Sequence, residues 1–277
     1  MTKYLFVLCS HNSGSTLLWK FYQTSPHVAA LPGEGQWVEG VEPIMRDKPW
    51  DKTHPFDWAA IETEWNKHWD LEKSILLEKT PQNLVRAFDI EKHFPDSYFV
   101  VMVRNPYAYC EGSKRKYLKE WSYRSIAERW IEHTHMQMEN IQGLKHVIGF
   151  TYEELTADST AIAEKSLEFL PELETLDPNF TFAMYSVYGY VPRRATNFNA
   201  AQIARLSDAD LAEINAVLEK QPEMMAYFNY DYERGGLKRK LVNLRVGLST
   251  FYIKYGVRNA QRVKNRLMRI LGKAENS

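Results

Sequence analysis

The stretch SYFVVMVRNP (97–106) offers no polar face: Tyr98 to Val103 are apolar without a break, and the run stops on Arg104, Asn105 and Pro106. A strand of that kind has to be covered on both sides, which is the situation of a central strand in a parallel sheet. KYLFVL (3–8) reads the same way and is closed by the polar turn CSHNSGST (9–16). Past that turn, Leu17, Leu18, Phe21 and Tyr22 fall on helical spacing until Pro26 stops the helix. Strand, polar glycine-containing turn and helix together open an α/β unit.

Further along, SILLEKTP (74–81) reads as a second strand with NLVRAFDIEKHFP as the helix behind it. A helical pattern runs from about Tyr107 to Leu144, and HVIGFTYEEL (146–155) supplies another strand and the start of a helix reaching about Leu170. Alternation of strands and helices predicts an α/β three-layer sandwich with a central, mostly parallel sheet and a phosphate-binding strand-turn-helix. Residues 36–73 hold five of the eight tryptophans among Asp, Glu and Pro, and are expected as helix and loop outside the sheet. Residues 171–206 read as irregular, after which Ser207 is placed to cap DADLAEINAVLEKQ, with Asp208 and Asp210 at the positive helix end.

Length and charge set the organisation. With 277 residues, 44% of them hydrophobic, the chain can bury one large core with an appendage. Net charge is zero, but 11 of the 35 Lys and Arg, and only one of the 35 acidic residues, lie from Gly236 onward. An acidic body excludes the chain as a whole from nucleic-acid binding and puts the positive field in the tail. The break at RGGLKRK (234–240) divides a domain of residues 1–234 from a basic helical extension of 235–277. Cys9 and Cys110 give neither a disulfide framework nor a metal cluster, and both read as small buried residues. The first apolar run is shorter than a signal-peptide core and no window reaches 18 apolar residues, so the expected location is the cytoplasm, at most peripheral to a membrane.

A strand-to-helix turn gathers backbone N–H groups into one concavity, where the helix dipole adds about half a positive charge. Gly14 lets the backbone approach an anion, and Ser13, Ser15 and Thr16 add hydroxyl donors. A nucleotide-triphosphate loop would need a leading glycine and a lysine, which this turn lacks. Arg104 at a strand end, with Ser113 nine residues later, instead suits a second phosphate.

These residues resemble the sulfotransferases that use 3′-phosphoadenosine 5′-phosphosulfate (PAPS). SGSTLL is similar to their 5′-phosphosulfate loop, VRNP with a downstream serine to their 3′-phosphate motif, and EKTP (78–81) to the turn of the carbohydrate-modifying branch. TYEEL with the helix ending LEFL, and LSDADLAEINAVLEKQPEMMAYFNY, resemble the fourth strand with its helix and the closing helix; the likeness spans about residues 3 to 232. It implies PAPS as donor, adenosine 3′,5′-bisphosphate (PAP) as product and no metal. The implied cofactor contacts are His11, Asn12, Ser13, Gly14, Ser15, Thr16, Leu17, Arg104 and Ser113, with Arg193 and Arg194 of VPRRATN as a late basic loop on the 3′-phosphate.

In-line transfer at sulfur needs a base for the acceptor hydroxyl and positive donors for the departing phosphate. By the resemblance the base is Glu34 in LPGEGQ, its pKa expected to be raised by partial burial. His133 and His135 are weaker candidates. Two departures stand out. The family's Lys or Arg before S-G-[ST]-T is Asn12 here, which leaves Lys79, or else His11, to supply the cation. The spacing from Arg104 to Ser113 is one residue longer than usual, so Gly112 holds the nominal serine position.

The EKTP turn points to a saccharide or glycolipid hydroxyl as acceptor, and the tryptophans of 37–69 either stack on sugar or belong to the core. In the tail, Val263, Leu267 and Ile270 form an apolar stripe among arginines. Such a helix suits an anionic membrane surface, an acidic glycan, or docking on the acidic body, including that of a second subunit in a homodimer. Two rivals stay open at this point: an ATP-dependent small-molecule kinase, and a non-catalytic nucleotide-binding protein of the same fold.

Overall fold

The computed structural model describes residues 2–186 and 189–235, with residues 183–186 and 189–193 described by their backbone alone. Five strands form a parallel sheet: β1 (Lys3–Cys9), β2 (Val28–Ala30), β3 (Ile75–Glu78), β4 (Ser97–Val103) and β5 (Val147–Thr151), in the order β2-β3-β1-β4-β5. The helices are α1 (Ser15–Tyr22), α2 (Glu42–Met45), α3 (Trp58–Trp65), α4 (Ala87–His93), α5 (Pro106–Lys116), α6 (Tyr123–Gly143), α7 (Tyr152–Ala157), α8 (Ser159–Phe169), α9 (Asn199–Ile203), α10 (Asp208–Leu218) and α11 (Pro222–Tyr227).

The apolar runs at 3–8 and 97–103 become the neighbouring central strands β1 and β4, in register from Tyr4 opposite Ser97 to Cys9 opposite Met102. Side chains alternate across a strand, so Leu5, Val7 and Cys9 join α1 and α8 in one core while Phe6 and Leu8 meet α3 and α4 in another. Both faces are therefore covered, as an unbroken apolar strand requires. Leu18, Phe21 and Trp65 are fully buried, each contributing on the order of 2 kcal/mol of transfer free energy. A third cluster packs α5, α6 and α10 beyond the sheet's end.

Several elements differ from the sequence expectation. The three-residue edge strand β2 carries too little pattern to be read, so 74–81 supplies the third strand in the chain. The helix expected after it is a 3-10 turn (Pro81–Val85) followed by α4. The long pattern from Tyr107 to Leu144 is two helices parted at residues 117–122, where Ser122 caps α6. The helix expected to reach Leu170 is likewise cut by Asp158, which caps α8. Residues 171–206, read as irregular, contain an antiparallel hairpin, β6 (Thr181–Ser186) with β7 (Gly189–Arg194). Ser207 does cap α10, in a reciprocal box with Asp210. Trp58, Trp65 and Trp69 belong to the core, whereas Trp37 is 54% exposed, its ring under Arg46. Among the described residues no helix is long and apolar enough to cross a membrane. The tail expected to form a basic helix, with Val263, Leu267 and Ile270, lies outside the described residues.

Candidate active site

A cleft enclosing about 1000 Å³, open solvent at its mouth included, lies at the carboxyl end of the sheet beside β1 and β4, where ligands of open parallel sheets bind. His11, Asn12, Gly14, Ser15, Thr16 and Leu17 form one wall, and Glu34, Arg104 and Arg194 also line it. The sequence-predicted groups thus converge from segments separated by up to about 180 residues.

The turn after β1 is built around two positive-φ residues, Asn12 at 60° and Gly14 at 97°. Asparagine tolerates the left-handed region. At Gly14 a Cβ would lie 2.7 Å from the Tyr152 ring, so only glycine fits. Gly14 is the N-cap of α1, with no side-chain cap and no acidic residue in the first turn. The first N–H groups of α1 therefore remain available to an anion in the cleft. Ser13 is buried, its N–H donating to the Ser10 carbonyl at 3.2 Å, and contributes to the turn rather than to the lining.

Asn12, where the family pattern has a cation, acts as a brace. Its amide donates to Ser113 Oγ at 3.2 Å, and its carbonyl accepts from Arg104 Nη1 at 2.7 Å. Arg104 also donates from Nε to Asn199 Oδ1 at 2.9 Å and from Nη2 to Gln202 Oε1, and its guanidinium lies 4.2 Å from the Tyr152 ring centroid. Asn199 in turn donates to Glu153, and the Tyr152 hydroxyl donates to the Thr196 carbonyl at 2.7 Å. Arg104 is thereby a buried cation held in one orientation, with further N–H donors of the fork unspent.

On the opposite side, Glu34 Oε1 accepts from Lys79 Nζ at 2.7 Å and Oε2 from Gln36 Nε2 at 2.6 Å. The loop carrying Glu34 is pinned by Glu78, the last residue of β3, which is fully buried and accepts from Gly35 N–H at 2.9 Å, Thr80 Oγ1 and Asn83 Nδ2. The pKa expectation for Glu34 is overturned. Burial does push its carboxyl up, but the charge and hydrogen bond of Lys79, with that of Gln36, outweigh it and hold the group below the ordinary carboxylate range. Glu34 is therefore an anion paired with a buried ammonium.

His11 lines the cleft, and burial lowers its pKa despite the opposing charge of Glu34, so at neutral pH it is uncharged. Neutral His11 can then face the cleft only as a hydrogen-bonding group, while the Lys79 ammonium is held at 2.7 Å from Glu34. His133 is buried under Trp50, ring centroids 4.5 Å apart, with Nδ1 3.0 Å from Ser10 Oγ, and burial with the neighbouring Arg129 pushes it down to about 3. His135 is on the surface near Glu139. Cys9 and Cys110 are fully buried, and burial raises both thiols.

Ser113 is buried behind Asn12 and does not line the cleft. Gly112, in the nominal serine position, faces Gln202, whose Nε2 would lie 2.7 Å from a Cβ there. Arg194 lines the cleft from β7, while the Arg193 side chain lies outside the described residues. Tyr152, Asn199, Gln202, Arg115, Lys116 and Tyr117 complete the site without having been singled out in the sequence. Tyr152 follows β5 as Arg104 follows β4, and that strand-end position was its one signal.

The fold is similar to that of solved sulfotransferases. The sulfotransferase domain of the Synechococcus PCC 7002 olefin synthase matches with a TM-score of 0.55 at 17% identity, over 84% of this chain and 96% of that one. Sulfotransferase STF9 from Mycobacterium avium matches with 0.50 at 12% identity, over 84% and 79%. Mouse sulfotransferase SULT7A1, solved complexed with PAP, gives 0.49 at 12% identity, over 83% and 89%. No curated protein sequence matches the chain. At these identities the first two matches speak for the fold alone, and the third carries no argument. The sulfotransferase family model, however, matches residues 5–177, more than half of the chain and the part that supplies the turn, Glu34, Lys79 and Arg104, and on that ground the protein belongs to the sulfotransferase family.

Proposed function

We propose that the protein moves the sulfuryl group of PAPS to an acceptor hydroxyl, releasing PAP, with Glu34 as the general base. The observation that carries this reading is the Glu34–Lys79 ion pair, at 2.7 Å, beside the cleft formed by the Gly14 turn and Arg104. The free N–H groups of the turn suit the 5′-phosphosulfate and Arg104 the 3′-phosphate. Glu34 takes the acceptor proton as the acceptor oxygen bonds to sulfur, and the bond from sulfur to the 5′-phosphate oxygen breaks with its electron pair passing to that oxygen.

The pair supplies more than a base. While Glu34 is ionised, it neutralises Lys79. Once it accepts the proton, the Lys79 charge is unopposed as negative charge grows on the departing phosphate. An interaction that strengthens only as the reaction proceeds lowers the barrier without tightening the ground state. For the acceptor, a second cleft lined by Trp50, Trp121, Arg129 and His133 adjoins His11, whose ring sits 5.6 Å from that of Trp50. Trp121, 43% exposed, offers an aromatic surface to the ring of the saccharide acceptor that the E-K-T-P turn implies.

Calorimetric titration with PAP, and in parallel with ATP plus magnesium, tests the donor assignment. Binding of PAP is expected; binding of ATP alone would replace this reading with a kinase. Glu34→Gln should then bind PAP normally and turn over at least about 100-fold more slowly, and normal turnover would remove Glu34 as base.

A further inference from the structure

The 3′-phosphate side of the cleft lacks its expected hydroxyl. Ser113 is buried behind the turn, where its oxygen accepts from the Asn12 amide and does not line the cleft, and Gly112 has no side chain, a Cβ there lying 2.7 Å from the Gln202 amide. Arg104 has three N–H groups committed to Asn12, Asn199 and Gln202. Arg115 is tied to Glu111, at 2.8 Å, and Arg205 shares the same carboxylate. Lys116 is different. It ends α5 at the exposed rim of the cleft, with Arg115, Arg104 and Glu111 as charged neighbours, and no carboxylate stands within ion-pair distance of it among the described residues. An ammonium with no carboxylate partner beside two other cations is a site that an anion relieves.

From this placement we infer that Lys116 supplies the contact to the 3′-phosphate that the missing serine would have made, and so sets the preference for a 3′-phosphorylated nucleotide over one lacking that group. The inference rests on the PAPS reading above and adds a residue to it. Helix α5 explains how the task moves: a residue one turn beyond Gly112 reaches the cleft from the helix end, where an ammonium on a four-carbon stem spans a distance that a hydroxyl cannot.

Calorimetry on the full-length protein with PAP and with adenosine 5′-monophosphate separates the two claims. The wild type should prefer PAP. Lys116→Ala should bind PAP about 10- to 100-fold more weakly, the loss of one charge-assisted hydrogen bond, and leave the monophosphate unchanged. Lys116→Arg should retain most of the preference. The Lys116 side chain makes no hydrogen bond or ion pair among the described residues, so an unchanged thermal midpoint checks that the variant is intact. A wild type that does not distinguish the nucleotides overturns the PAPS reading and this inference with it. A Lys116→Ala protein that keeps the full preference, or that loses both ligands equally, overturns the inference alone.

Discussion

Glu78 gives the fold a pH dependence that one substitution should remove. Its carboxyl is fully buried, and that burial pushes it up to about 7 from an ordinary value of 4.5, against hydrogen bonds from Thr80 and Gly35 that favour the anion. Below the ordinary value both native and unfolded chains hold the proton, and nothing is lost. Between 4.5 and 7 the native protein keeps a proton that the unfolded chain releases, so stability falls as pH rises, and above 7 the loss is complete. A shift of this size corresponds to about 3 kcal/mol at full extent, of which about 2 to 3 kcal/mol falls between pH 5 and pH 8. Glu78→Gln is the perturbation. Its carbonyl can accept from Gly35 and Thr80, and its amide can meet Asn83, whose Oδ1 is buried without a partner and comes forward when that side chain flips. Denaturant unfolding of both proteins from pH 5 to pH 8 should show the variant gaining on the wild type by that amount as pH rises. Other carboxylates shift both curves alike, and a constant packing offset cancels. Parallel curves would refute the assignment of the slope to Glu78.

Lys79→Met removes the main opposition to burial at Glu34 and leaves chiefly the Gln36 hydrogen bond, so the pKa of the proposed base rises. Because only ionised Glu34 accepts a proton, the acidic limb of the kcat/KM profile should move to higher pH, and a profile that does not move would detach Lys79 from the base. Gly14→Ala places a Cβ against Tyr152 at a φ of 97°. It should cost on the order of 1–2 kcal/mol in backbone strain alone, visible as a lower thermal midpoint, and should abolish PAP binding by calorimetry.

The central strands were legible because they are buried on both faces: β1 and β4 have no polar side to confuse their reading. The hairpin β6–β7 was not, since Pro192 interrupts its alternation and a proline argues against a strand interior. Within the site, the turn and Arg104 were visible as a strand ending in particular residue types. Ser113 was misleading for a geometric reason: one residue along a helix turns a side chain by about 100°, enough to carry it from the cleft to the back of Asn12. The pKa of Glu34 required its partner. Burial can be guessed from a glycine-flanked loop, but the ammonium that reverses the shift lies 45 residues away on another strand end. Gln202 and Asn199 belong to no motif at all, and became site residues only because α9 packs on α5 beside Arg104.

Replacing the usual cation with Asn12 also alters how charge is managed during turnover. A lysine within the turn would be permanently unpaired and would attract PAPS and its transition state alike. Lys79, reaching the site from the end of β3, starts in a bond with Glu34, the base of the proposed transfer. On that proposal base and cation act as one unit, and their substitutions should not add. Glu34→Gln removes the proton acceptor, so no proton transfer is left to uncover the Lys79 charge during the reaction. Lys79→Met leaves a base with no cation to release. Either change alone disables the coupled step, so the double variant should be slower than the worse single variant by less than about threefold, where independent contributions would multiply. Single-turnover rates measured with an accepted hydroxyl substrate decide it. Multiplicative losses would mean that Glu34 and Lys79 act separately, and that the ion pair is a resting contact with no part in the transfer.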